Sequence, residues 1–136
     1  MRLLALFLLL AVLPLAACDS NTLRVVNCPP DSGEITVENV VVGTGGGPAT
    51  ASSVVVVDYE GRLGTADGEV FDSATRATLG LAGTVRGFQQ GVAGMRLGGR
   101  RIITIPPSLG YRGVPQPNIP ACSTLRFDVT LIDIVG

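Results

Sequence analysis

Aromatic side chains are the residues of this sequence best suited to form a binding site. After the apolar start of the chain there are five of them, each in a different segment: Tyr59, Phe71, Phe88, Tyr111 and Phe127. A fold that brought these segments together could collect the rings into one apolar depression, with the carboxylate of Asp72 at its rim. Two alternatives remain open, because the rings could simply form the core of a small domain and Asp72 could cap a turn. The two phenols favour a site, since a buried tyrosine hydroxyl needs a partner and both tyrosines adjoin turn or loop sequence.

Composition excludes most kinds of covalent catalysis. The 136 residues include no histidine and no lysine, so the commonest general base and every Ser-His or Cys-His pair are absent. The glycine-rich segment 84–101 is not a phosphate loop, because it contains neither GxGxxG nor the lysine of a Walker loop. A sequence pI near 5.2 argues against a nucleic acid as partner. Nothing in the sequence predicts a metal or a cofactor.

The first 17 residues predict a signal peptide of the lipoprotein type. Arg2 is followed by an apolar run that is too short for a typical membrane span. Residues 15–18, LAAC, resemble the lipobox of bacterial lipoproteins, in which the cysteine is lipidated and becomes the mature N-terminus. We therefore expect Cys18 to anchor the protein to a membrane, and residues 18–33 to form the lipidated N-terminus and a tether. The alternative is ordinary secretory cleavage after Ala17.

Two further cysteines, Cys28 and Cys122, could form a disulfide. An exported protein meets oxidising conditions, and a bridge across so long a loop would contribute about 4–5 kcal/mol by the chain-entropy model. The alternative is a pair of free buried thiols. No CxxC is present, so the sequence does not predict a redox enzyme.

The segments that must position these side chains are mainly strands. Alternating and β-branched residues predict strands at 34–43, 53–63, 69–73, 100–107 and 123–136, with a turn at 65–68. Residues 74–78 are interpreted as a short connection. Helical spacing of Phe88, Val92 and Met95 predicts one helix at 87–95, in which Gly91 and Gly94 would permit close packing on a sheet. The fold class is therefore α+β, an antiparallel sheet of about five strands with one short helix, in one domain over 34–136.

Several segments together resemble the FKBP-type peptidyl-prolyl cis-trans isomerases, the macrolide-binding immunophilins. The motifs are VFDS at 70–73, VRGFQQGVAGMRLGGRR at 85–101, IPPSLGY at 105–111 and TLRFDVTL at 124–131. The similarity runs from about Glu38 to Ile134, and the ordered set is far more specific than any one string. The resemblance implies a curved antiparallel sheet wrapped around its helix, with a proline-binding aromatic pocket between them.

The same resemblance assigns roles to eight residues. Catalysis would involve Phe71, Asp72, Phe88 and Tyr111, and the substrate would be bound by Tyr59, Val85, Ile119 and Phe127. Phe88 would be the pocket floor, a position at which the family usually has tryptophan. Asp72 and Tyr111 would form a polar edge, and the Val85 backbone N–H would meet a substrate carbonyl.

The implied activity is rotation about X-Pro bonds in exported proteins. Amide resonance sets a barrier of about 18–20 kcal/mol, but no covalent bond changes, so the reaction suits a chain without histidine. The twisted amide has less charge separation than the planar one, so a dry apolar pocket would favour it. Expected partners are proline-containing polypeptides, macrolide inhibitors and, through the lipid, a membrane of the bacterial cell envelope, with the domain facing the periplasm or exterior. The alternative is a proline-binding or chaperone module of the same fold with little catalytic activity.

Overall fold

The computed structural model describes residues 25–136, and its main feature is an antiparallel sheet. The strands are β1 (Thr36–Val41), β2 (Val54–Leu63), β3 (Val70–Gly80), β4 (Arg100–Ile105) and β5 (Leu125–Ile134). Their order in the sheet is β1-β4-β5-β2-β3, and every neighbouring pair is antiparallel. The described part of the chain has one α-helix, α1 (Arg86–Val92), and two short 3₁₀ turns, Leu81–Gly83 and Pro107–Leu109. The predicted α+β class is confirmed. The predicted signal peptide and Cys18 lie outside the described residues.

Alternation along the two central strands builds the core. Successive side chains of a strand point to opposite faces of the sheet, so every second residue can face the helix. On β5 the buried positions are Leu125, Phe127, Val129 and Leu131, and on β2 they include Val55 and Val57. The helix adds Phe88 and Val92 to the same cluster. The core therefore lies between α1 and one face of the sheet.

Glycines let the helix lie directly on β4. Cβ atoms built at Gly87 and Gly91 would overlap the side chains of Ile105 and Ile103, so only residues without a side chain fit there. The packing role expected for Gly91 is therefore confirmed. The same expectation for Gly94 was wrong, because this residue has a φ of +87° and directs the chain out of the helix, with no close neighbour at its Cβ position.

β3 is longer than the sequence indicated. It runs to Gly80 and pairs with β2 from Val54 opposite Gly80 to Arg62 opposite Val70, so the interpretation of 74–78 as a short connection was wrong. The ladder has two irregularities of register, and at the one between Val57 and Tyr59 the Arg76 backbone N–H donates to Oδ1 of Asp58 at 2.7 Å. The strand then leads directly into the 3₁₀ turn at Leu81–Gly83 and from there to α1.

The segment before β1 is bonded to the loop before β5. Cys28 and Cys122 form a disulfide with their Cα atoms 5.3 Å apart, so the structure contains the bridge and not two free thiols. Val26 lies beside the same loop and donates its backbone N–H to the carbonyl of Gly113 at 3.0 Å. No helix within residues 25–136 is long and apolar enough to cross a membrane.

Candidate functional site

Four aromatic rings meet where the central strands face the helix. Phe127 of β5 is the centre of the group, with its ring centroid 5.0 Å from Phe88, 5.4 Å from Phe71 and 6.2 Å from Tyr59. Tyr59 and Phe88 are 6.3 Å apart, and all four pairs are edge-to-face. This is the geometry that aromatic quadrupoles prefer, so the rings hold one another in place.

Strand register and one glycine bring these rings together. Gly61 of β2 lies opposite both Phe127 of β5 and Asp72 of β3. A Cβ atom at Gly61 would lie 2.5 Å from Cζ of Phe71 and 2.9 Å from Cε1 of Phe127. Gly61 therefore leaves the space that two rings of the cluster occupy.

The rings border a depression with a volume of about 300 Å³. Its lining comprises Tyr59, Asp72, Leu79, Gly83, Thr84, Val85, Phe88, Tyr111 and Phe127. Phe88 is only 4% exposed and Phe127 only 7%, which makes them a rigid apolar base. The volume is at the lower end of the range of about 300–1,000 Å³ that small-ligand sites occupy.

A larger hollow exists, but its chemistry is different. It measures about 620 Å³ and is lined, apart from Tyr59, by charged and small side chains, among them Asp58, Arg100 and Asp128. Arg100 and Asp128 already neutralise each other through two hydrogen bonds of 2.8 and 2.6 Å. The smaller aromatic depression combines an apolar base with a few polar groups, so we take it as the candidate site.

Three hydrogen-bond donors lie at the polar edge of the depression: one already donates to a protein group, and the other two can donate to a ligand. The Tyr59 hydroxyl donates to Oδ2 of Asp72 at 2.7 Å. Burial, together with the bond to Asp72 and its charge, raises the pKa of Tyr59 to about 12, so the phenol remains protonated. Within residues 25–136 neither the Tyr111 hydroxyl nor the Val85 backbone N–H donates to another protein group. Tyr111 is 37% exposed, so its hydroxyl can reach a bound molecule.

The structure groups most, but not all, of the residues predicted for the site. Six line the depression: Tyr59, Asp72, Val85, Phe88, Tyr111 and Phe127. Phe71 does not line it and instead packs edge-to-face against Phe127. Ile119 is 6% exposed and belongs to the core, where it borders a separate hollow beside Leu63 and Pro120.

Three lining residues were missed by sequence reasoning. Leu79 was missed because the sequence analysis placed it after a short connection. The signal that could have found it is the length of β2, since a ten-residue strand pairs best with a hairpin partner of similar length. Gly83 ends the 3₁₀ turn and Thr84 follows it, where the Thr84 hydroxyl donates to the carbonyl of Leu81 at 2.8 Å. Their sequence carries no comparable signal.

The arrangement suits noncovalent recognition of an apolar ring beside an amide. The base is apolar, and the Tyr111 hydroxyl and the Val85 N–H offer hydrogen bonds to carbonyl oxygens. In the part of the chain that is described, no three His, Cys, Asp or Glu side chains converge to hold a metal ion.

Comparison with known sequences identifies related proteins. Residues 45–132 match the sequence profile described as FKBP-type peptidyl-prolyl cis-trans isomerase. The FK506-binding protein 4 of Mycosarcoma maydis is 37% identical over 121 residues, which cover 85% of this chain and 31% of that protein. The FK506-binding protein 4 of Aspergillus fumigatus is 44% identical over 96 residues, covering 66% of this chain and 19% of that protein. The chain therefore spans about a third or less of these curated relatives.

Solved structures show the same fold. A peptidyl-prolyl cis-trans isomerase from Pseudomonas syringae superposes with a TM-score of 0.67 at 28% identity, covering 75% of this chain and 76% of that one. FkpA from Escherichia coli gives a TM-score of 0.66 at 36% identity, covering 78% of this chain and 50% of that one.

Proposed function

The chain belongs to the FKBP-type peptidyl-prolyl cis-trans isomerase family, and from this membership we propose that it accelerates cis-trans rotation of X-Pro bonds in polypeptides. The observation that carries the proposal is the convergence of three rings, Tyr59, Phe88 and Phe127, with two available hydrogen-bond donors around one depression. Nothing in the reaction requires a nucleophile or a general base, because no covalent bond changes.

Binding comes first. The proline ring of the substrate lies on the apolar base formed by Phe88 and Phe127, and the carbonyls beside it face the polar edge. The Val85 N–H and the Tyr111 hydroxyl then donate to these carbonyls. Tyr59 does not compete for the same role, because its proton is held by Asp72. The pair instead keeps the phenol ring of Tyr59 fixed as a wall.

Rotation follows from the environment of the bound amide. The planar amide is polarised by resonance, whereas the twisted amide is less so, and transfer from water into an apolar depression therefore costs the twisted form less. Each 1.4 kcal/mol of such differential stabilisation increases the rate about tenfold. Shape and exclusion of water carry the catalysis, and the two donors hold the carbonyls while the bond turns.

The test is a protease-coupled proline isomerisation assay on the full chain in mild detergent. Phe88→Leu keeps an apolar base but removes two edge-to-face contacts, so we expect lower activity and a loss of about 1–3 kcal/mol of stability. Val92→Ala is the matched control, because Val92 is fully buried on the same helix and does not line the depression. It should lose about 2 kcal/mol or more of stability and retain its activity.

Tyr111→Phe tests the polar edge. Loss of one neutral hydrogen bond, about 0.5–1.5 kcal/mol, predicts a fall of about two- to tenfold in kcat/KM. Equal rates of isomerisation with and without the protein would instead favour the binding or chaperone module. That function would appear as improved refolding of a client without proline.

We also propose that macrolides bind in the same depression. The support is the name of the curated relatives, which describes them as FK506-binding proteins. FK506 should inhibit the isomerisation competitively, and Phe88→Leu should weaken the inhibition. Inhibition that is unchanged in Phe88→Leu would place the macrolide elsewhere.

A further proposal concerns location. The motif LAAC at 15–18 supports lipidation of Cys18 after removal of residues 1–17, which would anchor the domain in the bacterial cell envelope. In a bacterial host, the wild-type chain should fractionate with membranes, and Cys18→Ser should not. Intact mass of the mature chain should show the lipid. A wild-type chain of unmodified mass, found in the soluble fraction, would contradict the anchor.

A further inference from the structure

We propose that residues 25–33, here called the strap, hold Tyr111 at the edge of the depression and thereby set how tightly a prolyl substrate is bound. The inference rests on the proposed function, because it assigns a positioning role at the same site. The strap lies far from Tyr111 in sequence, and none of its residues lines the depression. Its influence must therefore pass through residues 106–122, here called the edge loop, which carries Tyr111.

The strap is attached to the edge loop at three places. The Val26 N–H donates to the Gly113 carbonyl at 3.0 Å. Asp31 accepts hydrogen bonds from the Ser108 backbone N–H at 3.0 Å and from its hydroxyl at 2.6 Å. The third attachment is the disulfide to Cys122. Apart from two local bonds between Ser32 and Glu34, every described hydrogen bond of the strap ends on the edge loop or within the strap.

These attachments bracket Tyr111. Ser108 lies three residues before it, and Gly113 lies two residues after it. The third attachment reaches the same point, because the Cys122 N–H donates to the carbonyl of Arg112, the next residue after Tyr111, at 2.8 Å. A shift of the strap would therefore move the backbone on both sides of Tyr111.

The edge loop has a conformation that needs such support. Arg112, Asn118 and Cys122 have φ values of +56°, +63° and +63°, in the left-handed region that non-glycine residues adopt only where surrounding contacts impose it. Within residues 25–136 only one other non-glycine residue, Arg76, has a positive φ. The strap supplies the surrounding contacts on one side of this loop.

The strap and the edge loop are in direct contact through their backbones. A Cβ atom at Gly113 would overlap the carbonyl of Val26, so Gly113 is required for this approach. The strap itself is largely exposed, with Val25 at 68% and Val26 at 46%, and none of its residues belongs to the buried core. Its hydrogen bonds can therefore be removed without removing core contacts.

The experiment uses the full chain with its disulfide intact. Asp31→Ala removes the bonds to Ser108, and Gly113→Ala separates the strap from the loop beside Val26. Each should raise KM for a prolyl peptide by about two- to tenfold, the range expected when Tyr111 loses one neutral hydrogen bond to substrate, with a smaller change in kcat. Asp31→Asn keeps one acceptor oxygen and should lie between wild type and Asp31→Ala. Asp67→Ala removes an exposed carboxylate at the β2–β3 turn and should match wild type.

A double-mutant cycle separates positioning from general destabilisation. If the strap acts through Tyr111, Asp31→Ala should have no further effect on KM in a Tyr111→Phe background. An unchanged KM in Asp31→Ala and Gly113→Ala, with both variants folded by circular dichroism, would overturn the proposal. So would an equal effect of Asp31→Ala with and without the Tyr111 hydroxyl.

Failure of the proposed function gives a different result. In that case the unaltered chain shows no rate enhancement, and the same variants are compared by their Kd for the prolyl peptide. Weaker binding that depends on the Tyr111 hydroxyl would still support the strap proposal. A wild-type chain that neither binds nor isomerises the peptide would overturn both proposals.

Discussion

Breaking the bond between Cys28 and Cys122 should destabilise the domain by a predictable amount. The two residues are 94 positions apart, so the bond closes a loop that contains most of the described chain. Loop closure of this length restricts the unfolded chain and contributes about 4.7 kcal/mol at 25 °C in the chain-entropy model. Cys122 has a φ of +63°, and reduction would let it relax from a conformation that costs about 1–3 kcal/mol. The expected net loss is roughly 2–4 kcal/mol.

Urea unfolding followed by circular dichroism measures this loss, since the chain has no tryptophan to report by fluorescence. With an m-value of about 1–3 kcal/mol/M, this loss lowers the urea midpoint by about 0.7–4 M when reductant is present. The double variant Cys28→Ser with Cys122→Ser should unfold near the reduced midpoint. This variant also serves as the control for the reductant, because its urea midpoint should be the same with and without reductant.

Two results would refute this reasoning. If alkylation of the native protein without reductant labelled both Cys28 and Cys122, the bond would not exist in solution. If the bond formed but the midpoints with and without reductant agreed within about 0.3 M, corresponding to less than about 1 kcal/mol, loop closure would not govern the stability. In that case the unfolded chain would already hold its ends together.

Two further predictions follow from ionisation. In the variant Tyr111→Phe, Tyr59 is the only tyrosine, so a rapid absorbance titration should give its pKa, about 12. Adding Asp72→Asn should lower this pKa, because Asp72 contributes to raising it. An unchanged pKa would show that Asp72 is not one of the causes. Because folding raises the pKa of Tyr59, protonated Tyr59 stabilises the folded state fully below about pH 10. This contribution to stability is lost as the pH rises through the folded pKa. Arg100 lowers the pKa of Asp128, so the pair stabilises the fold above about pH 4 and less as the pH falls through the folded pKa. Asp128→Asn should lower the free energy of unfolding by about 1 kcal/mol or less at neutral pH. The urea midpoint of this variant should depend less on pH in the acid range than that of the wild type. An equal pH dependence of the two proteins would contradict the stabilising role of the Arg100–Asp128 pair.

Much of the fold could be predicted because its determinants are local. Alternation in 123–136 matches the buried pattern of β5, and the spacing of Phe88 and Val92 places both on the buried face of α1. Errors appeared where a segment takes its structure from a partner. Residues 74–78 form strand because β2 is long enough to pair with them, and the β2–β3 register settles this more than the composition of the segment does.

The candidate site was predicted in part for the same reason. Gathering of the rings was one of two expectations from the sequence, and the structure brings Tyr59, Phe71 and Phe127 of three strands together with Phe88 of α1. The sequence does not indicate which ring faces the depression, because Phe71 and Phe127 are both aromatic residues at inward-facing positions. The difference depends on register: Phe127 packs against Tyr59, Phe71 and Phe88, whereas Phe71 contacts only Phe127 among the rings.

The strap shows what kind of long-range contact a sequence can reveal. A disulfide between Cys28 and Cys122 could be proposed from the sequence, beside the alternative of two free thiols, because only these two cysteines follow Cys18. Asp31 and Ser108 are 77 residues apart and could each bond to many other groups, so nothing local indicates their partnership. Yet this weaker and less specific pair holds the edge loop three residues before Tyr111. Positioning of a site by hydrogen bonds between exposed residues therefore has to be found in the structure, and tested by whether its loss depends on the side chain it positions.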